Sequence, residues 1–190
     1  MRGGAEELAS HLCARLNSTP GVIAEVLRVP FSWEPFERLA DEIFLNRTLQ
    51  LSNVDRVIGL KFPAYLIPHH TKVFWLLHQY RQAYDLRDRG QSNIPETPAG
   101  EKICELIRRA DAEVFSGCRR IFTISKTTQE RLRRYNGVEA SVLMHPLNHP
   151  EFCSPMVAIA AIFLPAEGSI LVSANTCLWR RWRGRSPARS

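Results

Sequence analysis

The stretch Val73-Phe74-Trp75-Leu76-Leu77 limits this chain to a small set of folds. It is apolar without alternation and too short for an independent helix, the pattern of a strand buried on both faces inside a parallel sheet. Parallel strands need long crossover connections, so helices must separate this strand from its neighbours. The flanking sequence supplies them. Val22 to Val29 is rich in β-branched residues and stopped by Pro30, and Asp55 to Phe62 ends at Pro63. Arg120 to Ile124 and Val138 to Leu143 complete the predicted strands. Helical spacing appears at Leu8, Leu12 and Leu16, and again through Leu39, Ile43, Phe44 and Leu49. It recurs at Ile103, Ile107, Ala110 and Val114, and in Lys126 to Tyr135 behind a Ser125 cap. Ala83 to Pro98 is polar and reads as an exposed loop. The repeated units predict an α/β fold, a Rossmann-like doubly wound parallel sheet.

One element of that plan is missing. Gly3-Gly4-Ala5-Glu6 reads as a phosphate-type loop opening the first helix, because glycine lets a ligand approach helical N–H groups. Such a loop normally hangs from a buried strand, and none precedes it. The expectation is a sheet lacking its first strand, with unpaired edges at its centre.

Charge narrows the function classes. The chain is formally +6, yet residues 1–152 carry 20 Lys/Arg against 18 Asp/Glu, and residues 153–190 carry 5 against 1. The near-neutral body offers no electrostatic footprint for nucleic acid. Cys13, Cys104, Cys118, Cys153 and Cys177 have no C-x-x-C spacing and read as reduced core thiols of a cytoplasmic protein. The longest apolar run, Pro155 to Ala166, is shorter than the roughly 20 residues a bilayer span needs. No Ser/His/Asp arrangement, Walker-type loop or metal-ligand spacing is present, so neither a metal nor a cofactor is expected.

His78 directly follows the buried strand, at the carboxyl end where open α/β sheets bind ligands. It is either the best candidate for chemistry or a structural histidine at a strand end. Gln79, Tyr80, Arg81, Tyr84 and Asp85 follow it and have the groups to hold a hydroxylated or phosphorylated ligand. Lys61, also at a strand end, could neutralise a phosphate or extend into solvent. Ser125 either touches a ligand or only caps its helix. His69-His70 reads as an exposed pair.

Three segments carry a resemblance: Gly3-Gly4-Ala5-Glu6, the run WLLHQYR ending at Arg81, and RIFTISKTTQERLRRYNGVEASVL from Arg120 to Leu143. Over residues 1–152 the chain resembles the N-terminal, acceptor-side domain of family 4 glycosyltransferases, retaining enzymes with the two-domain GT-B fold. The resemblance implies transfer of a sugar from a nucleotide-diphosphate donor to a glycan or lipid-linked acceptor in cell-surface polysaccharide synthesis, at the inner face of the cytoplasmic membrane. It places His78 beside the reacting sugar as the catalytic residue. Gly3, Gly4 and Ser125 become donor-binding, and Lys61, Tyr80 and Arg81 acceptor-side.

Past Phe152 the sequence departs from the family. There the family's second domain supplies an Arg and a Lys for the diphosphate and two glutamates in an E-x7-E pattern. Residues 153–190 instead read as an irregular, out-of-frame, non-native tail. Back-translating Phe163 to Trp182 with permitted codons in a shifted frame spells PAGRRINPGKRQYLSVEAMA, which resembles the start of that second domain. The expectation is a frameshift near residue 153 and an inactive product of low solubility. The alternative is a non-catalytic Rossmann-like binding module complemented by a separate donor-binding subunit. The Trp/Arg tail also permits a third reading, as a membrane-surface or nucleic-acid element.

Overall fold

In the computed structural model, residues 4–118, 120–146 and 170–173 are described. Helices α1 (Gly4–Asn17), α2 (Arg38–Thr48), α4 (Pro98–Ser116) and α5 (Lys126–Asn136) surround strands β1 (Ala24–Val26), β2 (Arg56–Lys61), β3 (Lys72–His78), β4 (Ile121–Thr123), β5 (Ser141–Val142) and β6 (Ile170–Ser173). A single helical turn, α3 (Asp85–Asp88), lies between β3 and α4. The sheet order is β1-β6-β2-β3-β4-β5 and every pairing is parallel. This is the predicted Rossmann-like, doubly wound sheet.

Strand β3 is buried on both faces as its sequence requires. Phe74 and Leu76 enter a core with Tyr65, Ile107, Phe115 and Leu132, whereas Trp75 joins Leu8, Ala24 and Leu60 on the other side. Helices α2, α4 and α5 therefore cover one face and α1 the other. Burying an aromatic or aliphatic side chain here contributes about 1.5 to 3 kcal/mol each, and both cores draw on the same strand. The helix ends follow local chemistry. Thr97 accepts a hydrogen bond from Gly100 N at 3.2 Å with Pro98 in the first turn, and Gly137 closes α5 at φ 65°.

The centre of the sheet corrects the sequence reading. Ile170, Leu171 and Val172 pair with Ala24, Glu25 and Val26, while Ile170 to Ser173 pair with Arg56 to Gly59. Four residues of the tail thus fill the slot between β1 and β2. The physical reason is that Ile170-Leu171-Val172 has the β-branched, apolar character that a strand flanked on both sides demands. Residues 153–169 and 174–190, with Cys153 and Cys177, lie outside the described residues, as does Gly3.

Other expectations also shift. The segment after β3 is an exposed loop only in part: Asp88 to Gln91 and Pro95 to Pro98 are exposed, whereas Ala83, Tyr84, Asp85 and Ile94 are buried. His69 is half-buried, stacked on His70 at 4.5 Å with its Nε2 3.1 Å from the Val54 carbonyl. Phe44 faces outward and is 71% exposed. Cys13, Cys104 and Cys118 are free thiols, as read from the sequence. No described helix is long and apolar enough to cross a membrane.

Candidate functional site at the carboxyl end of the sheet

Strands β2 and β3 end side by side, with Lys61 in register with His78. The start of α5 is pinned to the same rim. Ser125 accepts from Thr128 N at 3.1 Å, and Thr128 Oγ1 donates to the Leu77 carbonyl at 3.0 Å. Ser125 is therefore the helix cap that its position predicted, on the helix that Thr128 ties to the end of β3.

The His78 ring is half-buried, and its Nδ1 lies 2.7 Å from the Gln79 carbonyl. A carbonyl can only accept, so Nδ1 carries the proton and Nε2 keeps its lone pair when the ring is neutral. Burial pushes the His78 pKa down, and Lys61, Arg131 and Arg81 add to that, outweighing the bond to Gln79. The result is a neutral imidazole with a fixed tautomer at a cationic rim. It can accept a hydrogen bond from a hydroxyl or take up a proton.

Arg81 and Arg131 are organised by one carboxylate. Arg81 reaches Asp85 at 2.7 Å and Arg131 at 3.3 Å, and the Asp85 side chain is 9% exposed. Burial alone would raise the Asp85 pKa, but the hydrogen bonds from Arg81 and the charges of Arg131 and Arg89 hold it below the usual value. Around His78 the charges of Lys61, Arg131 and Arg81 all act in the positive sense, the sign that attracts phosphate groups. Arg81 is thus fixed in an ion pair, which sequence reading did not foresee.

Behind His78 runs a buried polar chain. Gln79 Nε2 donates to Asn136 Oδ1 at 2.9 Å, Asn136 Nδ2 donates to Tyr84 OH at 3.2 Å, and Tyr84 OH donates to Asp111 Oδ2 at 2.8 Å. Tyr65 OH donates to the other Asp111 oxygen at 2.8 Å. The Gln79 Oε1 atom is buried without a hydrogen-bond partner. Burial raises the Asp111 pKa to about 7 against the lowering effect of both tyrosines.

The remaining predicted residues lie elsewhere. Tyr80 turns its ring into an aromatic cluster, 5.0 Å from Phe62. Gly4 opens α1, which packs on β1 and β6. That helix runs antiparallel to β1, because Asn17 in its last turn binds both backbone groups of Ala24, so Gly4 points toward the same rim as His78. Glu6 and Glu7 occupy its first turn, however, and carboxylates there compete with an incoming phosphate for the helix N-terminus. No group of His, Cys, Asp and Glu suited to a metal ion occurs among the described residues. An open pocket of about 360 Å³ lined by Arg120, Phe122, Glu139 and Ser141 sits at the amino ends of β4 and β5, on the opposite rim.

Sequence reasoning missed Arg131, Thr128 and Asp111. Arg131 belongs to the run Arg131-Leu132-Arg133-Arg134, and nothing local separates it from its exposed neighbours. In comparisons with known proteins no family model matches the sequence, and no curated protein or solved structure matches it either.

Proposed function

We propose that this domain is the acceptor-side half of a retaining, nucleotide-sugar-dependent glycosyltransferase, working at the carboxyl rim of β2 and β3. The observation that carries the reading is His78 at the carboxyl end of β3, its Nδ1 proton held by the Gln79 carbonyl so that Nε2 keeps its lone pair, with the charges of Lys61, Arg81 and Arg131 acting on it. Its lone pair accepts from a sugar hydroxyl, and the cationic rim attracts the phosphates of a donor or of a lipid-linked acceptor. Ser125 and Gly4 border the donor side. The groups that stabilise the departing diphosphate come from a second domain, as the family resemblance implies. Each such preorganised donor is worth about 3 to 4 kcal/mol of transition-state stabilisation, so turnover depends on that second domain.

Titration of the full chain with a nucleoside diphosphate and with a polyprenyl diphosphate-linked glycan, followed by NMR, tests the site. Saturable shifts at His78 and Arg131 that the His78→Ala variant weakens support the reading, and the absence of any such shift overturns it. Sequencing the locus in three frames tests the parentage. RINPGKRQYLSVEAM followed by a later E-x7-E supports it, and finding neither overturns it. A second reading, a non-catalytic binding module, draws on one observation: Asp85 already engages Arg81 and Arg131 in ion pairs.

A further inference from the structure

A chain of buried polar side chains starts at the residue that holds the His78 proton. Gln79 lies one position past β3, and the strand pairing stops at Lys61 and His78, so its peptide group stands beyond the ladder. Its carbonyl nevertheless sits 2.7 Å from His78 Nδ1. The anchored part of this residue is its side chain. Gln79 is fully buried, and its amide reaches Asn136, the last residue of α5, at 2.9 Å. From there the chain passes to Tyr84, just ahead of α3, and ends on Asp111 of α4.

The direction of every bond in the chain follows from its last member. An ionised carboxylate only accepts, and Asp111 takes one tyrosine hydroxyl on each oxygen at 2.8 Å. The single hydroxyl proton of Tyr84 is committed there, so its oxygen accepts from Asn136, and the Asn136 atom facing it is Nδ2. Asn136 Oδ1 then faces Gln79 and needs a donor, which is Nε2. The Gln79 amide thus has one allowed orientation, and it is kept although Oε1 is left buried without a partner. An apolar side chain of similar length would fill the same space without that penalty.

Four side chains that satisfy one another in order, Gln79, Asn136, Tyr84 and Asp111, stiffen the segments they join. One of those segments is the backbone that receives the His78 proton. We infer that Gln79 is a positioning residue for His78, its carbonyl held on Nδ1 by the relay through Asn136 and Tyr84 to Asp111, so that Nε2 keeps its lone pair. A proton on the other ring nitrogen would turn that acceptor into a donor. As a part of sugar transfer this rests on the function proposed above. As control of the tautomer it stands without it.

Two tyrosines make the test specific. Tyr65 and Tyr84 are both buried and each gives its hydroxyl to Asp111 at the same distance, but Tyr84 is the one that also accepts from Asn136. Replacing either by Phe removes one hydroxyl and leaves the ring, so a network that only supports the fold responds to both alike. The full chain, with no ligand, is followed by long-range 1H–15N correlation at about pH 8, where His78 is neutral and Asp111, with a pKa of about 7, is ionised. In the parent and in Tyr65→Phe the His78 nitrogens should show one tautomer, protonated at Nδ1. In Tyr84→Phe and in Asn136→Ala the two signals should move toward each other as the second tautomer is populated. The His78 pKa should also fall further in these variants, because the bond to Gln79 raises it. A His78 tautomer unchanged in both, or moved as far by Tyr65→Phe, overturns the inference. Asn136 is half-buried, so its variant carries the comparison if Tyr84→Phe loses the thermal transition. Because neither nucleotide nor glycan is present, failure here is distinct from failure of the His78 titration.

Discussion

Replacing Asp111 by Asn should change how stability depends on pH. Asp111 is fully buried, and its carboxyl receives hydroxyls from Tyr65 and Tyr84. Its pKa is raised from 3.8 to about 7, chiefly by burial. A group whose folded pKa lies above its unfolded value stabilises the fold fully below the unfolded pKa and loses that contribution as pH rises through the folded pKa. The shift of about three units, at about 1.36 kcal/mol per unit, amounts to about 4 kcal/mol lost between about pH 4 and pH 7. Asn has the same shape, keeps one acceptor for a tyrosine, and does not titrate. Guanidinium unfolding of both proteins across that range isolates the term, because every other titrating group cancels in the difference. The Asn variant should gain on the parent by about 4 kcal/mol as pH rises, then hold level. A difference that stays flat, or one that grows toward acid, would refute the reasoning.

Three further outcomes are expected. The imidazole of His78 should titrate below 6.5 and hold its proton on Nδ1, as read by long-range 1H–15N correlation, so its part of the stability is present above that pH and is lost as pH falls through the lowered pKa. Gly100→Ala should cost about 2 to 4 kcal/mol in chemical unfolding, because its Cβ would stand 2.0 Å from the Pro95 carbonyl oxygen and displace the Thr97 cap, while Gly117→Ala, with nothing closer than 3.8 Å, should cost little. Val172→Pro removes a ladder donor from an inner strand and should abolish the cooperative thermal transition, whereas Arg89→Pro, in the exposed turn after α3, should leave it intact.

Elements whose signal lies within a few consecutive residues were legible in the sequence. Strand β3 needed only its unbroken apolar run, α4 only Ile103, Ile107, Ala110 and Val114 at helical spacing, and α5 only the Ser125 cap ahead of Lys126 to Tyr135. Residues whose meaning depends on a distant partner were not. Asp85 looks like a loop carboxylate until Arg131 of α5 meets it, and Asp111 looks like a surface residue of a charged helix until Tyr65 and Tyr84 close over it. Spacing also cannot say how wide an apolar stripe is, and Phe44 fell just outside the one that Leu39 and Ile43 define. The place of β6 was hidden for a different reason. Composition marked its surroundings as foreign to the domain, and parallel pairing leaves no local trace of which strands will be neighbours.

Strand β6 sets the order in which this protein can be made. Its partners are β1 and β2, and β1 has no other neighbour in the sheet. On the ribosome, residues 24 to 26 must therefore wait until residue 173 has emerged before any strand pairs with them. Contacts of such long range are slow to close, and the waiting β1 and the inner edge of β2 stay exposed meanwhile. The middle of the sheet is the last part to be completed, and a chain stalled before Ser173 presents two sticky edges to its neighbours on the polysome.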